Sequence, residues 1–237
     1  MLGLMATSDI APATTALPRE CHFDIGICSQ AGEYGENEDY CAATEAGESR
    51  QMALALADGI GSESYGRTIS RIACLASLAK LTQGEDVERA FGAGLKEIRT
   101  FLRAAQSPRS GASLLVAACQ GDRLKLACVG DCRAALMRDA TLVWLNSLDR
   151  VPGTNRLSSA ASADMVTRPH IIEQEIGKDD MVVFMTDGTY ETLDEREIAS
   201  IVHDAPSASA AAETLVRRGR RVGRDDATAA VVRLPQY

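Results

Sequence analysis

The sequence predicts an α+β layered domain, and three features point to it. Short apolar runs with strand-like alternation recur from residue 22 to the end of the chain. Two long stretches of helical period lie together between residues 65 and 105. Two more helical stretches come late, just before a final apolar strand. Many antiparallel strands with helices in two groups form packed layers around a shared core.

The elements follow in order. Residues 1–20 are rich in Ala, Thr, Ser and Pro and read as a flexible tail. One domain then spans 21–237, with no internal repeat and no linker strong enough to divide it. Strands are expected at 22–29 and 39–44, around the polar loop "SQAGEYGENED", and at 51–57. A helix from Tyr65 to Leu81 carries Ile69, Ile72, Ala73, Ala76 and Leu81 along one face. A second, from Glu85 to Ala105, repeats Val87, Phe91, Leu95, Ile98 and Leu102 at spacings of three and four. Residues 111–147 change period and read as a β-meander broken by Gly-Asp, Gly-Asp and Asp-Ala turns. After a Ser/Ala-rich loop, "HIIEQEIGKDDMVVFMTDG" supplies two strands. Asp194 is placed to cap a helix, with Glu197 as its capping-box partner. The helix "SASAAAETLVRRGRR" ends in arginines that suit its C-terminus, and "DATAAVVRL" closes the chain as a strand.

Composition bounds the function. The chain has 237 residues, 46% hydrophobic and 24% charged, the mix of an ordinary globular protein. A net charge of −8 disfavours nucleic acid or an anionic membrane as the main partner. No apolar run approaches the roughly 20 residues needed to span a bilayer, and the N-terminus lacks the features of a secretion signal. A cytoplasmic location is expected. Of the seven cysteines (Cys21, Cys28, Cys41, Cys74, Cys119, Cys128 and Cys132), no two form a Cys-x-x-Cys pair. They read as buried reduced thiols. His22, His170 and His203 lie far apart in the sequence, which disfavours a histidine-based metal site.

The chemistry lies in the carboxylates. "MALALADGIGS" and "VVFMTDGTYE" are apolar runs that both close on Asp-Gly, at Asp58 and Asp187. Asp39 in "NEDY", Asp225 in "GRDDAT" and Asp131 in "VGDCR" also stand at strand edges beside small or turn residues. Taken singly, an Asp-Gly pair is usually just a turn. Convergent aspartates would instead offer the oxygen ligands that Mg2+ and Mn2+ require. Glycine after Asp58 would let a backbone carbonyl approach the ion.

The stretches "GENEDYCAA", "ALADGIGS", "GASLLVAA" with "LKLACVGDCRAALMR", "DDMVVFMTDGTYE" and "GRDDATAAVVRL" occur in the order found in one family. The chain resembles, over about residues 22–234, the metal-dependent serine/threonine protein phosphatases, the PPM or protein phosphatase 2C family, in its bacterial form. The resemblance implies a β-sandwich of two antiparallel sheets flanked by helix pairs. It implies a centre of two Mn2+ or Mg2+ ions held by Asp39, Asp58, the carbonyl of Gly59, Asp187 and Asp225, with Asp58 bridging. Asp131 would serve a more weakly held third ion, shared with Asp187. A metal-activated water would attack phosphorus in line, so no protein nucleophile is nominated. The implied partner is a phosphoprotein, such as a cognate serine/threonine kinase or its targets.

The sequence departs from the family in several places. Tyr34 stands where the family usually carries a phosphate-gripping arginine; Arg67, Arg133 and Arg224 are candidates to compensate. Ile60 follows Asp58-Gly59 where eukaryotic relatives often have histidine. Asp226, where relatives have asparagine, reads as a spare charge, with weak ligation the alternative. The flap segment between Asp149 and Asp179 is short and Ser/Ala-rich. A haloacid-dehalogenase-type phosphatase fails, because Met185 and Leu56 occupy the place of its nucleophilic aspartate. A non-catalytic binding or regulatory module on the phosphatase fold is the second reading, and Tyr34 is its best support.

Overall fold

The computed structural model describes residues 3–6, 23–46, 51–60, 65–107, 110–164 and 167–234. Cys21, His22 and most of the expected tail fall outside these. Gly3–Ala6, within that tail, form a strand, β1, along β3 (Asp39–Ala46). The other strands are β2 (Asp24–Gln30), β4 (Gln51–Ile60), β5 (Gly111–Gln120), β6 (Arg123–Val129), β7 (Arg133–Arg138), β8 (Thr141–Trp144), β9 (Ala161–Ser162), β10 (His170–Glu175), β11 (Met181–Met185) and β12 (Ala227–Arg233). The helices are α1 (Gly66–Thr82), α2 (Val87–Ala104), α3 (Asp187–Tyr190), α4 (Glu195–Asp204) and α5 (Ala208–Val222).

Two antiparallel sheets stack face to face. One runs β1-β3-β4-β5-β6-β10, with the short β9 also on β5; the other runs β2-β12-β11-β7-β8. Helices α1 and α2 cover the outer face of the first sheet, and α4 and α5 that of the second. The result is the expected β-sandwich flanked by helix pairs.

Strand periodicity sorts the side chains. Cys41, Ala43, Leu54, Leu56, Leu115 and Ala117 face the second sheet, whose Ala134, Leu136, Val182, Phe184, Ala230 and Val232 meet them. The alternate residues Ala42, Ala55 and Ala57 face α1 and α2. Full burial of a large apolar side chain such as Leu54, Leu56 or Phe184 contributes roughly 1.5–3 kcal/mol.

The helices follow their sequence signals. Asp86 caps α2 by accepting from Arg89 N–H at 2.8 Å. All five periodic residues, Val87, Phe91, Leu95, Ile98 and Leu102, are buried. Asp194 and Glu197 form the expected reciprocal box, with bonds of 2.8 and 3.1 Å. The α1 face is rotated from the expected one. Ile69, Ala73 and Leu81 are buried along with Cys74, Ser77 and Leu78, while Ile72 and Ala76 are only half-buried. Cys28, Cys41, Cys74, Cys119, Cys128 and Cys132 are free thiols.

The expected meander over 111–147 is two hairpins in different sheets. β5 pairs with β6 in the first sheet and β7 with β8 in the second. Both hairpin turns use left-handed backbone, at Gly121 in one and at Asp139 and Ala140 in the other. Between the hairpins the chain crosses sheets through Gly130, Asp131 and Cys132. Gly130 has φ of +90°, and a Cβ there would lie 2.3 Å from Ser113 Oγ, so only glycine makes this corner. β10 and β11 part in the same way, β10 onto the edge of the first sheet and β11 into the middle of the second. Among the described residues, the flap segment between them and β8 contains no helix.

Candidate metal centre

The two Asp-Gly pairs are not turns. Asp58 and Gly59 continue β4, paired with Ser113 and Ala112 of β5. Asp187 and Gly188 open helix α3. Asp58 follows Leu54 and Leu56 on the inward face, and Asp39 precedes Cys41 on the same face. In the ladder Asp39 and Asp58 are direct cross-strand partners. Like charges placed opposite one another destabilise a sheet, so this pairing marks a site.

The second sheet delivers the others to the same rim. Thr186 N–H donates to Thr228 O at 3.1 Å, locking the end of β11 to β12. Thr186 Oγ1 then donates to Asp39 Oδ2 at 2.8 Å, tying the sheets together. Among the described residues, Asp39 Oδ1 is buried without a hydrogen-bond partner, an orphaned acceptor of the kind a cation would satisfy. Asp225 lies just before β12, where Arg220 Nη1 holds its carbonyl at 2.9 Å. Gly59 packs closely against the start of α1: a Cβ there would lie 2.4 Å from Gly66 Cα. Glu38 accepts from the Gly66 N–H, so the "NED" segment also anchors the start of α1.

Electrostatics describe one shared field. Burial pushes Asp39 well above the usual carboxylate range, against hydrogen bonds from Thr228 and Thr186 and helped by Asp226 and Asp187. Burial also raises Asp58, whose strongest charged neighbours, Asp39, Asp187, Asp131 and Asp225, are all aspartates. Asp187 is pushed up to about 7, by burial first and then by Asp131, Asp225 and Glu191. No three of these side chains close on a single point among the described residues. Neighbouring aspartates add to the rise at Asp39, Asp58 and Asp187. Carboxylate oxygens and a backbone carbonyl form the donor set of a hard divalent cation, and the residues present fit such ions.

The sign of the pH effect follows. A carboxyl whose folded pKa is raised keeps a proton that the unfolded chain has already released. Stability is then lost as pH rises from the unfolded value near 3.8 to about 7 for Asp187. In EDTA, the melting temperature is expected to fall between about pH 4 and about pH 7. Mn2+ should flatten that fall, because a bound cation replaces the proton as counter-charge. A melting temperature in EDTA that rises over this interval would contradict the cluster's assigned electrostatics.

The remaining expected residues have different partners. Asp226 is not a spare charge. Its Oδ1 accepts from Gly32 N–H and its Oδ2 from Glu38 N–H, each at 2.6 Å, stapling the 31–38 loop. Arg67 pairs loosely with Glu36 at 3.8 Å, and Arg224 with Glu33 at 3.4 Å. The Arg133 guanidinium stacks on Trp144 at 3.6 Å. Tyr34 is 77% exposed. Asp131 lies at the rim, but its Oδ1 accepts from Ser113 Oγ at 2.6 Å and its Oδ2 from Arg150 Nε and Nη2 at 2.8 and 2.6 Å. Sequence reasoning missed Arg150, because nothing in "SLDRVPG" distinguishes it from a surface arginine.

Comparison with known proteins places this arrangement. Residues 30–226 match the sequence profile of the protein phosphatase 2C family. The sequence has no significant match among curated proteins. The fold is similar to the Mycobacterium tuberculosis serine/threonine phosphatase PstP/Ppp, with TM-score 0.78, 24% identity, and coverage of 90% of this chain and 99% of that one. A structure of the PstP catalytic domain in complex with two manganese ions matches at TM-score 0.77, with 24% identity and coverage of 90% and 99%. Serine/threonine phosphatase Stp1 from Staphylococcus aureus matches at 0.80, with 15% identity, 96% of this chain and 100% of that one. Among the described residues, no helix is long and apolar enough to cross a membrane. The order of the motifs, the match over most of the chain and the shared sandwich lead to one conclusion: the chain belongs to the protein phosphatase 2C family of metal-dependent phosphatases.

Proposed function

We propose that the protein hydrolyses phosphoserine and phosphothreonine in proteins, at a centre where Asp39, Asp58, the Gly59 carbonyl, Asp187 and Asp225 hold two Mn2+ or Mg2+ ions. The observation that carries this reading is the convergence of these aspartates from both sheets onto one rim, where Asp39 and Asp58 are cross-strand partners whose strongest charged neighbours among the described residues are other aspartates. When bound, the two ions would lower the pKa of a water nucleophile and offset charge on the phosphoryl oxygens.

The chain's own residues supply position. Thr186 fixes the Asp39 carboxylate from the opposite sheet. Asn37 accepts the Asp39 N–H at 3.0 Å and donates to Ser29 Oγ at 2.8 Å, so the segment before Asp39 is held in place. Asp226 keeps the 31–38 loop at the rim, where a phosphoprotein would approach. Such a substrate would be a serine/threonine kinase or one of its targets.

Hydrolysis of phosphoserine and phosphothreonine peptides is expected with Mn2+ or Mg2+, with loss in EDTA and recovery when the ion is restored. Metal binding without turnover on any phosphopeptide would favour the non-catalytic module that the exposed Tyr34 suggests.

A further inference from the structure

The centre contains two kinds of carboxylate. Among the described residues, the strongest charged neighbours of Asp39 and Asp58 are aspartates. Asp131 and Asp187 have a protein cation against them. Arg150 Nε and Nη2 both donate to Asp131 Oδ2, at 2.8 and 2.6 Å. Nη2 donates again to Asp187 Oδ2 at 2.9 Å, and Nη1 donates to Glu191 Oε1. All three guanidinium nitrogens therefore end on carboxylates.

The arginine is built into this position. Its side chain is only 13% exposed, so the pairs are screened less than surface pairs would be. Burial works against its charge, but the bonds to Glu191 and Asp131 outweigh that and hold the guanidinium protonated. The backbone beneath it is fixed as well. Asp149 N–H donates to Gly130 O at 2.9 Å, and Gly130 N–H donates to Asp149 Oδ2 at 3.0 Å, beside Asp131 itself. Arg150 forms an antiparallel bridge with Leu157, and Ser158 N–H closes the turn onto Asp149 O at 2.8 Å. The root of the flap thus delivers one guanidinium between Asp131 and Asp187. With Ser113 on its Oδ1, both Asp131 oxygens have a protein donor.

We infer that Arg150 is the resident cation of the Asp131–Asp187 position, so that this centre takes two divalent ions and excludes a third. The inference rests on the two-ion reading above. It follows from charge and occupancy. A third ion bridging Asp131 and Asp187 would compete with Arg150 for their Oδ2 atoms, and would meet a fixed positive charge within hydrogen-bond reach of both aspartates. Access of a third ion then requires release of the arginine, and with it of the flap root.

The test counts bound Mn2+ by equilibrium dialysis up to millimolar free ion, on the full chain. Wild type is expected to bind two. Arg150→Ala should gain a third, weaker site, and Arg150→Ala with Asp131→Asn should return to two. Arg150→Lys, which keeps the charge, should stay at two. Arg150→Gln, which keeps length without charge, should gain the third site and covers the case in which the alanine variant folds poorly. Three ions on wild type, or two on both Arg150→Ala and Arg150→Gln, would overturn the inference while leaving the two-ion centre standing. No bound Mn2+ in any of the proteins would overturn the metal centre itself, and the inference with it.

Discussion

Replacing Asp58 by asparagine is expected to lower phosphatase turnover by more than about a hundredfold, beyond the 10–100-fold typical for residues that merely support metal ligands. The fold should survive. Asp58 lies at the end of β4, and its amide and carbonyl serve the ladder whatever the side chain. Its carboxyl is pushed up by burial and by Asp39, Asp187, Asp131 and Asp225, so a neutral amide relieves repulsion in the metal-free protein. The melting temperature in EDTA should therefore hold or rise while activity is lost, the usual opposition between stability and a charged functional site. Asp187→Asn should behave similarly, since an amide oxygen can still accept from Arg150. Near-wild-type turnover by either variant at saturating Mn2+ would show that the centre is wrongly assigned.

Tyr34→Arg is expected to lower KM for a small substrate such as p-nitrophenyl phosphate by about tenfold, with kcat changed less. A charge-assisted pair of hydrogen bonds to a phosphate dianion is worth on the order of 1.5–3 kcal/mol, and about 1.4 kcal/mol is a factor of ten in binding. Binding common to ground and transition states appears in KM. The position suits the change. Tyr34 is exposed on a loop pinned at Gly32 and Glu38 by Asp226, and at Glu33 by the carbonyl of Arg224. Among the described residues, the Arg67 and Arg224 side chains are engaged in exposed ion pairs of small net value. An unchanged or raised KM, with the fold intact, would mean that an existing arginine already grips the phosphate.

The sequence by itself determined the layers, the helix ends and the identity of the aspartates. Each rests on short-range information: the 3.6-residue period of Val87, Phe91, Leu95, Ile98 and Leu102, the Asp194–Glu197 box, and the apolar runs that end on Asp58 and Asp187. Only the tertiary structure decided how those pieces share space. Hairpin periodicity cannot say that the chain changes sheets at Gly130, so the expected meander split in two and left Asp131 at the crossover. The alternation that buries Leu54 and Leu56 predicts that Asp58 shares their face, but only the β3–β4 register sets Asp39 opposite it, and only the stacking of the second sheet brings Thr186 to them. Asp226 and Arg150 were illegible for the same reason. Their partners are Gly32 and Glu38 in one case, and Asp131, Asp187 and Glu191 in the other. A charged side chain's role depends on which distant groups the fold brings within about 3 Å of it, and local sequence carries no record of that distance.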